Sequence, residues 1–333
     1  MKTSPSMGVG ITVVASLAAL ALLGAPPHVS AQGRSPFVDH SDTGETVHVL
    51  PTPASIHSPR DTGPTMAPPA NELRVYPASY GSGNLRYRGG PVMSDAGFWA
   101  LYWNDKAANA RPSGNSNPTL LAQIDAFVSS FGGGANYSQA STDDFSIVQQ
   151  YSQPNNAISG KVVNYGYRVA SEATKSSVSD SGIRNFIAAQ FRGGLSWNSN
   201  FIYGVYLPPG MKVTMSGSSC STFCGYHGHF TYNGFDIRYA VFPYLNCNAC
   251  KLSNLTVADM MTIVVSHEIR EAVTDPQLNA WYDDQGYEAD DKCAWHNLYQ
   301  MTNGGFWVQP EYSNGGTKSG TSYPGPGCIV PNR

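Results

Sequence analysis

The chain has few charged residues and no concentrated block of positive charge. Lysine, arginine, aspartate and glutamate make up only 13% of its 333 residues, and the formal net charge is -3. Without a basic cluster the chain cannot neutralise a row of phosphates, which argues against nucleic acid as a partner. After the first 31 residues, no segment approaches the roughly 20 apolar residues that a membrane-spanning helix needs. We therefore expect neither nucleic-acid binding nor a membrane span.

Cysteine is absent from the first two thirds of the chain. All six cysteines lie in the last 114 residues, and in an oxidising compartment they predict up to three disulfides. Proximity in sequence favours Cys293 with Cys328, and either Cys247 with Cys250 or Cys220 with Cys224. A thiolate zinc site is the alternative, because Cys247 and Cys250 form a CxxC pair.

The N-terminal part of the chain is typical of a secreted protein. Residues 1–31 combine Lys2, an apolar run over 11–23 and the small-residue end Val29-Ser30-Ala31, which predicts a signal peptide cleaved after Ala31. Residues 32–72 are rich in proline, serine and threonine and show no periodicity, so we expect a disordered linker or pro-segment. Residues 73–333 have no further break in composition, which indicates one extracellular domain.

Within that domain, predicted strands alternate with predicted helices. The apolar and aromatic run over 97–103 is typical of a strand buried on both faces, and amphipathic stretches over 117–131 and 179–191 predict helices. Further strands are predicted over 161–167, 201–207 and 237–244. The pattern predicts a single α/β (α+β) domain with a mixed β-sheet.

The most informative segment is a predicted helix over 257–273, which begins at the N-cap Thr256 and ends before Asp275-Pro276. At 100° per residue, six side chains fall in one sector of about 120° that we expect to face the core. These are Val257, Met260, Ile263, Val264, His267 and Glu271. We expect Asp259, Thr262, Ser266 and Arg270 to face water. The core-facing stripe thus ends in an imidazole and a carboxylate, which need a partner or a metal when buried.

Residues 267–271 read HExxE, one residue away from the HExxH motif of zinc metallopeptidases. His267 and Glu271 lie one turn apart on one face and can bind the same ion, with Zn²⁺ expected. Glu268 lies at the edge of the stripe, where it can act as general base on a metal-bound water. The motif predicts a zincin-like active-site helix in a metal-dependent hydrolase, with an extracellular peptide or a cell-wall or matrix component as substrate. The alternative is a His-Glu pair that only forms hydrogen bonds within the core.

A third metal ligand is expected from Asp291, Glu288 or His227. The first two belong to an acidic segment after the helix, which contains Asp283, Asp284, Glu288, Asp290 and Asp291. Oxygen ligands also suit Ca²⁺, which is the alternative ion. Of His227 and His229 we expect at most one to bind, with His227 favoured, and we expect His296 to be structural.

The order of several motifs resembles the EXORDIUM or phosphate-induced family of secreted plant proteins and its microbial relatives. The matching motifs are Cys224-Gly225-Tyr226-His227, the Cys247 and Cys250 pair, His267-Glu268 with Glu271, Asn279-Ala280-Trp281-Tyr282, and Glu288 with Asp291 and Cys293. The resemblance implies an extracellular or cell-wall location and supplies no established reaction. It also implies a small residue where Arg270 stands. A non-catalytic cell-wall or matrix-binding protein is therefore the alternative to a hydrolase, and the sequence indicates no oligomeric state.

Overall fold

The structure is a computed structural model that describes residues 35–56, 63–69, 72–114, 116–131 and 144–331. The predicted signal peptide, 1–31, lies outside the described residues. The helices are α1 (Asp105–Ala108), α2 (Leu120–Phe131), α3 (Asp180–Arg192) and α4 (Val257–Thr274), with 3-10 helices at Ser146–Tyr151 and Asp291–Cys293. The strands are β1 (Val38–His40), β2 (Thr46–Pro51), β3 (Arg74–Tyr76), β4 (Arg86–Tyr87), β5 (Ala96–Tyr102), β6 (Val162–Val169), β7 (Ser177–Ser179), β8 (Phe201–Tyr206), β9 (Lys212–Thr214), β10 (Phe223–Tyr232), β11 (Phe235–Phe242), β12 (Trp281–Tyr282), β13 (Tyr299–Gln300), β14 (Trp307–Val308), β15 (Glu311–Ser313), β16 (Gly316–Lys318), β17 (Thr321–Tyr323) and β18 (Gly327–Val330).

Seven strands form the central mixed sheet, in the order β1-β2-β10-β11-β8-β5-β6. The four strands β11, β8, β5 and β6 run parallel to one another, whereas β10, β2 and β1 are added in antiparallel pairs. The prediction of one α+β domain with a mixed sheet is confirmed, and the predicted central strands and helices lie within a few residues of the observed ones.

The sheet separates two hydrophobic cores. Successive residues of β5 alternate between them, as a strand buried on both faces requires. Phe98, Ala100 and Tyr102 pack with α2 and α4 on one face, and Leu101 packs with α3 on the other. Helix α4 is therefore held against the sheet on the α2 side.

The expectation of a disordered segment over 32–72 is wrong for its central part. Strand β2 is buried from Val47 to Pro51 and pairs with β10, with His48 opposite His227. The run Val47–Leu50 supplies apolar side chains to both faces of the sheet, and this local pattern outweighs the polar composition of the surrounding segment. The domain therefore includes chain well before residue 73.

Helix α4 begins as predicted, but its outer face is covered. Thr256 accepts a hydrogen bond from the backbone of Asp259, whose side chain accepts one from the Thr256 backbone, which completes a capping box. The expectation that Thr262, Ser266 and Arg270 face water is wrong, since all three are buried. They are buried because β14 and α2 pack against α4 in addition to the sheet.

Three disulfides join Cys220 to Cys247, Cys224 to Cys250 and Cys293 to Cys328. The pairing of Cys293 with Cys328 was expected, whereas the two short-range pairings were wrong. The start of β10 lies beside the segment that follows β11, so each early cysteine meets one from that segment. These disulfides fit an extracellular protein. Among the described residues, no helix is long and apolar enough to cross a membrane.

Candidate metal centre

Helix α4 presents three ionisable side chains to the interior of the domain. His267, Glu268 and Glu271 are all fully buried, and His267 Nε2 lies 3.0 Å from Glu271 Oε2. This is the contact expected of two residues one helical turn apart. The predicted inward orientation of the His267 and Glu271 pair is confirmed.

Two strands bring further imidazoles to the same place. His48 on β2 and His227 on β10 are directly paired on neighbouring strands, and their ring centroids lie 5.3 Å apart. His48 Nδ1 lies 3.1 Å from Glu271 Oε2, and His227 Nδ1 lies 3.2 Å from Glu268 Oε2. Both histidines are fully buried. The sheet therefore contributes two imidazoles to the site, in addition to the side chains of α4.

The loop after α4 closes the group with two carboxylates. His48 Nε2 lies 3.2 Å from Asp291 Oδ2 and 3.6 Å from Glu288 Oε1. The backbone N–H of Asp291 donates to Glu271 Oε1 at 3.0 Å, which fixes the loop to the helix. We name the complete set of seven fully buried side chains the His-carboxylate cluster: His48, His227, His267, Glu268, Glu271, Glu288 and Asp291.

Four members of the cluster stand at distances that suit one tetrahedral ion. His48, His267, Glu271 and Asp291 each offer a donor atom within 4.8 Å of the others. Zinc bonds of about 2.0–2.1 Å at tetrahedral angles place neighbouring donor atoms about 3.3–3.4 Å apart. The observed separations from His267 Nε2, 3.0 Å to Glu271 Oε2 and 3.9 Å to Asp291 Oδ1, lie on either side of that value. The donor set fits Zn²⁺, which prefers nitrogen and carboxylate ligands.

The electrostatics of the metal-free cluster are strongly perturbed. Burial opposes the charging of His267, but Glu271 and the other nearby carboxylates outweigh it and raise the pKa to about 10. Burial and the positive charge of His48 lower the pKa of His227 to about 3. Burial and the charge of Glu271 raise the pKa of Asp291 to about 6. At neutral pH the metal-free cluster therefore contains a protonated imidazole, His267, and a neutral one, His227, because burial and neighbouring charges shift their pKa values in opposite directions.

Several polar atoms of the cluster have no hydrogen-bond partner among the described residues. They include His267 Nδ1 and Glu268 Oε1. Phe37 lies over the rings of His48 and His267, with centroids 6.3 and 6.5 Å away, so the surroundings offer apolar contact in place of a donor or acceptor. Buried atoms of this kind are costly unless a ligand satisfies them.

The remaining predicted candidates lie outside the cluster. His229 follows His227 along the same face of β10, but it is partly exposed and contacts Asp236 at 2.6 Å. Asp283 pairs with the buried Lys292, and Asp284 is exposed beside Arg88. His296 packs beside Tyr80, and Asp290 pairs with Arg270. All six cysteines form disulfides, so none is free to bind zinc as a thiolate.

The prediction that Arg270 faces solvent is wrong in a way that matters for the cluster. Arg270 is 1% exposed, and its Nη2 lies 2.7 Å from Asp290 Oδ1 and donates to the Gln309 carbonyl at 2.7 Å. This side chain ties α4 to the loop that carries Asp291. It therefore supports the position of a candidate ligand.

Sequence reasoning missed His48, since the segment that contains it was expected to be disordered. The usable signal was the run Thr46–Pro51, in which apolar residues flank a single histidine.

A cavity of about 1070 Å³ is lined by Thr46 and His229, which lie two residues from His48 and His227 along their strands, and by none of the seven cluster residues.

The chain finds no match among family models, curated proteins or solved structures.

Proposed function

We propose that this chain is a secreted zinc-binding protein whose His-carboxylate cluster holds the ion. The preferred ligands are His267, Glu271, His48 and Asp291, because the distances between their donor atoms are close to the donor–donor distances of a tetrahedral zinc site. The supporting observation is that these four side chains come from three separate parts of the chain and are fully buried together. Several buried carboxylates without a cation would be strongly destabilising.

In this proposal the bound ion cross-links the fold. It joins the N-terminal strand β2, the central helix α4 and the loop that holds Asp291. Such a site contributes binding free energy directly to folding. Ca²⁺ is a weaker choice than Zn²⁺ here, because three imidazoles line the cluster and Ca²⁺ prefers oxygen ligands alone.

The test is the metal content of the full chain purified without chelator. We expect at least one zinc per chain by mass spectrometry, and a loss of zinc in His267→Ala. His229→Ala is the matched control, because His229 lies on the same strand as His227 but outside the cluster, and it keeps the zinc of the native chain. Native protein without stoichiometric zinc contradicts the proposal.

A metal-dependent hydrolase, with a peptide as substrate, is the second candidate function. It is favoured by Glu268, which follows the ligand His267 and keeps Oε1 without a hydrogen-bond partner among the described residues. When bound, the ion would supply Lewis acidity and a more acidic water, and Glu268 would hold the proton removed from it. The full burial of the cluster weighs against this candidate, because a substrate needs an opening to reach it.

One substitution tests the hydrolase. Glu268→Gln is expected to keep zinc and the fold and to abolish hydrolysis across peptide and ester substrates. If the native chain hydrolyses none of them, the non-catalytic extracellular or cell-wall protein implied by the EXORDIUM resemblance is favoured instead.

A further inference from the structure

The His-carboxylate cluster contains more candidate ligands than one tetrahedral ion can use. Four of its seven members are carboxylates and three are imidazoles, and all are fully buried. A tetrahedral zinc ion takes four ligands. One ion bound by His48, His267, Glu271 and Asp291 therefore leaves His227, Glu268 and Glu288 without a metal contact.

The donors also divide into two sets that share only one residue. The first set is His48, His267, Glu271 and Asp291, and the second is His227, Glu268 and Glu271. A third combination, His48 with His227 and Glu288, overlaps each of the others through an imidazole. A carboxylate can bind two ions at once because it has two oxygens. A histidine could bind two ions only as an imidazolate, with no proton on either ring nitrogen. The first and second sets are therefore the compatible pair.

Glu271 belongs to both sets, and one of its oxygens approaches an imidazole of each. Its Oε2 atom is 3.0 Å from His267 Nε2 in the first set and 3.9 Å from His227 Nδ1 in the second. The second set has its own sign of an absent ligand, since Glu268 Oε1 is buried and has no hydrogen-bond partner among the described residues. The first ion would leave that oxygen unsatisfied.

We infer that the cluster binds two divalent cations, both Zn²⁺, with Glu271 as the carboxylate shared between them. This inference rests on the proposed zinc-binding function and extends it from one ion to two. It also changes the role of Glu268, which becomes a ligand of the second ion and is no longer available as a general base.

The experiment measures how many zinc ions the full chain binds. The protein is stripped with chelator, dialysed against buffered ZnCl₂ alone, and analysed for bound zinc per chain and for its far-ultraviolet circular dichroism. We expect two zinc ions in the native chain and one in both His227→Ala and Glu268→Ala. His229→Ala is the control and is expected to keep two.

The outcomes separate this inference from the proposal beneath it. One zinc per native chain overturns the two-ion centre and leaves the zinc-binding function standing, while none overturns both. Two ions that persist in His227→Ala and Glu268→Ala also overturn the inference, because the second ion would then lie elsewhere. A native count below two overturns the inference even if a variant fails to fold.

Discussion

Replacement of Arg270 by methionine should be among the most destabilising single changes outside the cluster. The Arg270 guanidinium is 1% exposed, contacts Asp290 at 2.7 Å, and donates to the carbonyls of Gln309 at 2.7 Å and Asp144 at 3.2 Å. Arg270→Met keeps most of the side-chain volume but leaves the Asp290 carboxylate buried without its cation. Breaking a buried ion pair from one side costs about 3–5 kcal/mol of unfolding free energy.

The measurement is urea denaturation at pH 7 with zinc held at a fixed excess, so that metal occupancy does not vary between proteins. The double variant Arg270→Met with Asp290→Asn also removes the unpaired charge of the Asp290 carboxylate. We expect a coupling energy of about 1–3 kcal/mol between the two positions. Arg192→Met, at an exposed arginine near the end of α3, is the control and should change stability by no more than about 0.5 kcal/mol. A loss below about 1 kcal/mol in Arg270→Met, or strictly additive effects, would refute the reasoning.

Three further predictions concern the cluster and its loop. His48→Ala should weaken zinc affinity by more than the roughly 10–100-fold that loss of an outer-shell partner of a ligand causes, measured by competition with a chromogenic chelator, while His229→Ala leaves it unchanged; equal affinities would remove His48 from the site. Zinc binding at pH 7.5 should release protons, because the raised pKa of His267, about 10, keeps its ring protonated in the metal-free protein and a ligand must be neutral. Affinity should therefore rise with pH up to that pKa, and calorimetric heats that do not depend on the ionisation enthalpy of the buffer would contradict this. Replacing Cys293 and Cys328 by serine opens a loop with a sequence separation of 35 and should cost about 4 kcal/mol in thermal or urea unfolding; a loss under about 1 kcal/mol would contradict the loop-closure argument.

The parts of the fold that could be predicted are those set by local patterns. Helix α4 was predictable because Thr256 and Asp259 form its capping box and Asp275-Pro276 follows its end. Strand β5 was predictable because its apolar run between turn residues has the length of a strand and is too short for a typical helix. The inward pair of His267 and Glu271 followed directly from helical geometry.

The parts that could not be predicted depend on contacts between distant segments. The environment of Arg270 is set by Asp290 and Gln309, which no helical periodicity reveals. The cysteine pairing depends on where β10 and the segment after β11 meet, so nearness in sequence was a poor guide. His48 was missed because a composition averaged over 40 residues concealed a six-residue strand.

Strand β2 has a consequence for the handling of this protein in the laboratory. Any shortened version that starts at residue 73 removes the antiparallel neighbour of β10 and the His48 imidazole together. The unpaired β10 edge would then be open to pairing with another copy of the chain. Aggregation and a lack of zinc in such a fragment would reflect where it was cut, and would say nothing against the metal centre of the longer chain.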